Sequence, residues 1–223
     1  MIKAIIFDFD GLIVDTESVW FDVFVEVLRD YQVDLSLSEF ATCIGTTDDI
    51  LFESLQKKSG KILNRESIKE RTEQLYFRRM EELTLREGVQ EYLESAKRSG
   101  LRIALASSSS KSWVEGFLER FHIRHYFEVI KTKDDVKKVK PDPELYLQAI
   151  EALKVQPEQI MVFEDSLNGL NAAVKANLSC VVVPNNVTRE LAFRGHTHLI
   201  QSMKDVSLND VLELVYAKKS SKN

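Results

Sequence analysis

Five short, nearly uniform apolar runs set the tightest limit on how this chain folds: AIIF (4–7), RIALA (102–106), FEVI (127–130), IMVF (160–163) and CVVV (180–183). Each is four or five residues long, too short for a buried helix, and none shows the alternation of a strand with one wet face. Such runs suit strands covered on both sides, as in a parallel sheet. Helix-like segments at 111–121, 143–154 and 166–177 lie between the later runs, which predicts βαβ units and an α/β fold.

Residues 17–83 break that rhythm. Val19, Trp20, Val23, Phe24, Val27, Leu28 and Tyr31 recur at helical spacing and form one apolar stripe. Further helical stretches follow at 47–58 and 65–82, with no convincing strand among them. The expected organisation is a first core segment (1–16), a helical insert (17–83) and a resumed α/β core (84–223).

Bulk properties narrow the function classes. The formal net charge of -5 and the scattered lysines argue against a phosphate-backbone partner. The densest lysine group, KTKDDVKKVK, is interrupted by two aspartates, and the KKSSK tail reads as a frayed, solvated terminus. Cys43 and Cys180 form no CxxC, so neither a disulfide framework nor a zinc site is indicated. No run approaches the roughly 20 apolar residues that span a bilayer, and the apolar run near Met1 is too short for a signal peptide. A cytoplasmic, soluble protein is expected, with a monomer the plainer guess.

Ligands in open α/β sheets bind beyond the carboxyl ends of the strands. Asp8 and Asp10 follow the first run, SSSS (107–110) follows RIALA, and Glu164 and Asp165 follow IMVF. Four acids brought together repel one another unless protonated or sharing a cation. Oxygen donors without His or Cys favour a hard ion, Mg2+ where phosphate is handled. Ser107, the backbone N–H groups after it, beginning with Ser108, and Lys140 supply donors and positive charge for a phosphoryl group. Asp142 and Pro143 are expected to start the next helix as N-cap and N1.

DFDG with DTE after it, a serine ending the second core strand, Lys140 in KPDPELY, and FEDSLNG resemble, in order, the four motifs of the haloacid dehalogenase-like hydrolase superfamily. Within it the chain is most similar to the β-phosphoglucomutase and phosphoglycolate phosphatase group. The resemblance implies a Rossmann-like core with helices on both faces, an inserted helical cap, and phosphatase activity on a small phosphorylated metabolite. It implies that Asp8 attacks phosphorus, that Asp10 serves as acid and then base, and that Ser107, Ser108 and Lys140 hold the phosphoryl group. Mg2+ is implied at Asp8, the Asp10 carbonyl and Asp165, with Glu164 a direct or water-mediated ligand.

Against mutase chemistry, Trp20 stands where the mutase has a histidine. Asp48, in the IGTTD loop with Thr47, stands where the mutase has an arginine for a second phosphate. Trp20, Thr47 and Asp48 are therefore the substrate-specificity candidates. Cap closure on hinges near Thr16 and residues 82–86 is expected to exclude water. Blander readings exist for each residue: the acids end strands or bias a helix start, any of Ser107–Ser110 caps a helix, and Lys140 is solvated. Gly169 either permits a close approach or is merely tolerated. The four histidines match no ligand spacing. A phosphosugar mutase, a dehalogenase and a non-catalytic phosphometabolite-binding module are the rivals, whereas no GxGxxG or GxxxxGK[ST] supports nucleotide chemistry.

Overall fold

The computed structural model describes residues 1–41, 44 and 48–220; the side chains of residues 48–50 and 218–220 lie outside that description. Thr47 and Cys43 are outside it, as is the side chain of Asp48.

Strands β1 (Ala4–Phe7), β2 (Arg102–Ala106), β3 (Val129–Lys131), β4 (Ile160–Glu164), β5 (Ser179–Val182) and β6 (His198–Leu199) form one sheet in the order β3-β2-β1-β4-β5-β6. All neighbours run parallel. The uniform hydrophobicity of the runs has a simple cause. Ile5, Phe7, Met161 and Phe163 enter the core on one face of the sheet, while Ala4, Ile6, Ile160 and Val162 enter the core on the other. A one-residue register slip would swap the two sets, so the pairing is strongly fixed.

Helices cover both faces. Residues of α5 (Val89–Arg98), α6 (Lys111–Arg120) and α9 (Leu208–Ser220) pack into the first core, and α7 (Glu144–Leu153) and α8 (Leu167–Lys175) into the second. Between β1 and α5 come four consecutive helices: α1 (Thr16–Arg29), α2 (Leu37–Ala41), α3 (Asp48–Ser59) and α4 (Arg65–Met80). The α1 stripe is buried at Val23, Phe24, Val27 and Leu28, as its period dictates.

The two crossings between this helical stretch and the sheet lie side by side. Val14 bridges Leu85, and Arg86 N donates to Ile13 O at 2.9 Å. The Arg86 guanidinium donates to Gly11 O, to Val183 O at 3.2 Å and to Pro184 O at 2.8 Å. Arg120, from α6, donates to the carbonyls of Met80, Glu81 and Leu83, satisfying the free C-terminal end of α4.

Several expectations need correction. The third strand starts at Val129, not Phe127, because Phe127 ends a 3-10 turn at Arg124–Tyr126 and turns inward. Helix α7 starts at Glu144 with Pro143 as its N-cap, one residue later than expected, although Asp142 still accepts from Glu144 N at 3.1 Å. The basic tail is not frayed through its whole length, since α9 continues to Ser220. Among the described residues no helix is long and apolar enough to cross a membrane.

Candidate active site

The strand order reverses around β1, whose neighbours β2 and β4 continue in opposite directions across the sheet. A crevice opens beyond the strand ends at such a point. Here Phe7 pairs with Leu105 and Phe163, so Asp8, Ala106 and Glu164 emerge at one level. Lys140 reaches the same place from the turn before α7.

Lys140 is buried, and its Nζ donates to Asp8 Oδ1, to Glu164 Oε1 at 2.7 Å and to Ala106 O at 2.8 Å. All three protons of the ammonium are thus used. Tyr146 OH donates to the same Glu164 oxygen, and Ser166 Oγ to the other at 3.3 Å. Burial alone would pull the Lys140 pKa down, but the charges of Asp8 and Glu164 outweigh it and hold it above the ordinary value. Lys140 is therefore an interior cation and not the solvated lysine of the blander reading. Gly169 is also decided: a Cβ there would lie 1.9 Å from the Glu164 carboxyl, so the close approach requires glycine.

Asp165 sits beside this pair, with Oδ2 accepting from Asn185 Nδ2 at 2.8 Å. Asn185 is in turn fixed by Val187 N and Thr188 N donating to its Oδ1. Gly11, at φ +78, lets the DxD turn pass so near that a Cβ would meet Asp165 Oδ2 at 2.2 Å. Asp8, Glu164 and Asp165 each offer an oxygen within 4.8 Å of the others. Burial first, then the charge of Glu164, raises Asp8 to about 7. Burial and the charges of Asp8 and Glu164 likewise push Asp165 well above the carboxylate range. Three buried oxygen donors with this mutual repulsion fit a hard divalent cation.

Asp10 stands apart from the three. Its Oδ1 accepts from Thr16 Oγ1 at 3.0 Å and from the Trp113 indole at 2.9 Å. Its Oδ2 accepts from Ser109 Oγ at 2.6 Å and Ser107 Oγ at 3.4 Å. Asp15 explains the rest of DTE, since it caps α1 by accepting from Ser18 N. Ser110, not Ser107, caps α6, which removes the bland reading of Ser107. Ser108 Oγ is buried without a hydrogen-bond partner among the described residues and lines a cavity of about 790 Å3 with Asp8, Asp10, Lys140, Asp165 and Trp20. Of the cap candidates, Trp20 is thus placed at the cavity.

Sequence reasoning missed Trp113, Ser109, Tyr146, Asn185 and Arg86. The strand-end rule would have found Asn185, which follows β5. Ser109 lay within the quoted serine run and Tyr146 within KPDPELY. Trp113 and Arg86 carry no spacing signal.

A parallel sheet with buried carboxylates and a buried lysine at its switch point defines an α/β protein whose acidic cluster is compatible with a divalent cation. The profile of the haloacid dehalogenase-like hydrolases matches residues 5–183, and the chain belongs to that family. YhcW of Bacillus subtilis (strain 168), designated a phosphatase only provisionally, is 45% identical over 96% of this chain and 97% of its own. The phosphorylated carbohydrates phosphatase of Thermotoga maritima is 36% identical over 79% of this chain and 82% of its own. CbbY from Rhodobacter sphaeroides, solved as a variant with xylulose-1,5-bisphosphate, superposes with TM-score 0.74 at 30% identity, covering 93% of this chain and 97% of that one. The expected family and enzyme class, a phosphoric monoester hydrolase, are borne out by these relatives.

Proposed function

We propose that the protein hydrolyses the phosphate monoester of a small sugar or polyol through an aspartyl-phosphate on Asp8. The observation that carries this reading is the buried Lys140, which bridges Asp8 and Glu164 where β1, β2 and β4 end. A nucleophilic carboxylate needs its charge balanced without being blocked, and Lys140 binds one Asp8 oxygen only. The Ser108 hydroxyl, which has no hydrogen-bond partner among the described residues, lines the cavity next to Ser107 as a ready donor to phosphate oxygens.

Asp8, Asp165 and the Asp10 carbonyl would hold Mg2+. Glu164 spends one oxygen on Lys140 and Tyr146, so its share in the metal site is secondary to orienting Lys140. The cation's chemistry is to neutralise charge on the transferring phosphoryl group. Asp8 attacks phosphorus, and Asp10 protonates the departing oxygen. Asp10 then takes a proton from the water that cleaves the aspartyl-phosphate. Helices α1 to α4 serve as the cap, with the two bridged crossings at Val14 and Leu85 as the hinge. Mutase chemistry needs a holder for a second phosphate, and residues 30–56 contain no Lys or Arg.

Phosphate release from a panel of sugar and polyol phosphates with Mg2+ tests the reading. The expected result is turnover of at least one ester with free phosphate as product. Isomerised product without phosphate, or no reaction with any ester, overturns it.

A second expectation concerns the cation itself. Asp8 titrates at about 7 in the folded protein against an ordinary 3.8, and Asp165 is raised too. The folded state therefore binds more protons than the unfolded chain between about pH 4 and 7, and metal-free stability declines as pH rises through that window. Mg2+ should offset the loss, raising the midpoint of thermal unfolding clearly at about pH 8 and little at about pH 5. Equal Mg2+ effects at both pH values, read by calorimetry, would count against the acidic trio as the cation site.

A further inference from the structure

Four donors surround the Asp10 carboxylate, and three of them are hydroxyls, which turn freely toward another acceptor. The fourth is the Trp113 indole N–H, 2.9 Å from Oδ1. It is rigid. Trp113 stacks on Tyr76 with centroids 5.8 Å apart and planes 15° apart, and meets Phe117 edge-on at 5.0 Å. Tyr76 is itself buried and stacks on Trp20 at 3.7 Å and 19°. A continuous aromatic column thus runs from α1 through α4 to α6 and ends on the proposed acid and base.

An indole N–H donates and never accepts. Oδ1 is therefore held as an acceptor, and a proton on Asp10 belongs on Oδ2, the oxygen that Ser109 faces. We infer that Trp113 is a positioning residue for Asp10, fixing Oδ1 so that Oδ2 exchanges protons with the reacting oxygens. This rests on the proposed hydrolase reading. In the first half, Oδ2–H gives its proton to the leaving oxygen as that oxygen takes the electron pair of the breaking P–O bond. In the second, water attacks phosphorus, its proton passes to Oδ2, and the bond from phosphorus to Asp8 breaks.

The test separates positioning from packing by the leaving group. A sugar alkoxide needs a proton to depart; p-nitrophenolate does not. Trp113→Phe keeps a ring against Tyr76 and removes the N–H. Its kcat/KM should fall roughly tenfold to a hundredfold for the best sugar phosphate of the panel, and far less for p-nitrophenyl phosphate, with the unfolding midpoint nearly kept. Equal falls for both esters overturn the proposal.

A second measurement stands even where that variant does not fold. The chain has two tryptophans, so its proton–nitrogen NMR spectrum holds two indole N–H signals. In Asp10→Ala the Trp113 signal should move and the Trp20 signal stay; an unmoved Trp113 signal overturns the bond itself. Asp10→Ala also marks failure of the parent reading. Should it lower kcat/KM equally for both esters, a ratio that does not include the later hydrolysis in which Asp10 is the base, Asp10 is not the acid, and the inference falls for that reason rather than through Trp113.

Discussion

Asp8→Asn should leave a folded protein whose phosphate release falls by at least about 10^4-fold, the scale on which removing a covalent nucleophile acts. An amide of nearly the same shape cannot form the acyl phosphate. The local packing survives the change, because Asp8 N still donates to Phe163 O at 3.0 Å and Lys140 still has Glu164 and Ala106 O. The substitution also removes one charge from a cluster in which the charge of Asp8, with that of Glu164, raises the pKa of Asp165. Metal-free Asp8→Asn should therefore unfold at a temperature no lower than the parent at neutral pH. Phosphate release and calorimetry on the same preparation check both halves. Activity within tenfold of the parent would remove Asp8 from the chemistry.

Lys140→Ala should be the most disruptive single change in the site. It leaves Asp8 and Glu164 facing each other, buried, with no cation between them. Stranding one partner of a buried pair costs about 3–5 kcal/mol, which for a chain of this size lowers the unfolding midpoint by roughly 6–20 °C. Activity should vanish with it. Lys140→Met combined with Glu164→Gln separates the two effects: it restores much of the stability, since neutral groups of similar volume fill the space, and none of the turnover. A stable, active Lys140→Ala would show that the lysine is not the counter-ion of the nucleophile.

The core strands were legible because each apolar run is covered on both faces, a condition that leaves a plain mark in four or five residues. Strand β6 has two residues and no such mark, and β3 was misplaced because the inward-turned Phe127 extends the apolar run past the paired segment. Asp8, Ser107, Lys140, Glu164 and Asp165 were found through motif order and strand ends, and the structure brings them to one crevice. The partners that hold them were harder. Tyr146 and Trp113 act from the sides of helices, where an inward aromatic reads as ordinary core. Gly169 shows the limit well: only the folded structure reveals the Glu164 carboxyl lying over it.

The sheet's pairing carries a consequence for assembly. Ala4 lies against Arg102 on one side and Ile160 on the other, so the segment bearing the proposed nucleophile waits for nearly half of the polypeptide before it has its first neighbour and for most of it before it has both. Contacts this distant in the chain slow folding and lengthen the time an apolar ribbon stays uncovered. Synthesis of this protein should consequently lean on chaperones until residue 164 has left the ribosome.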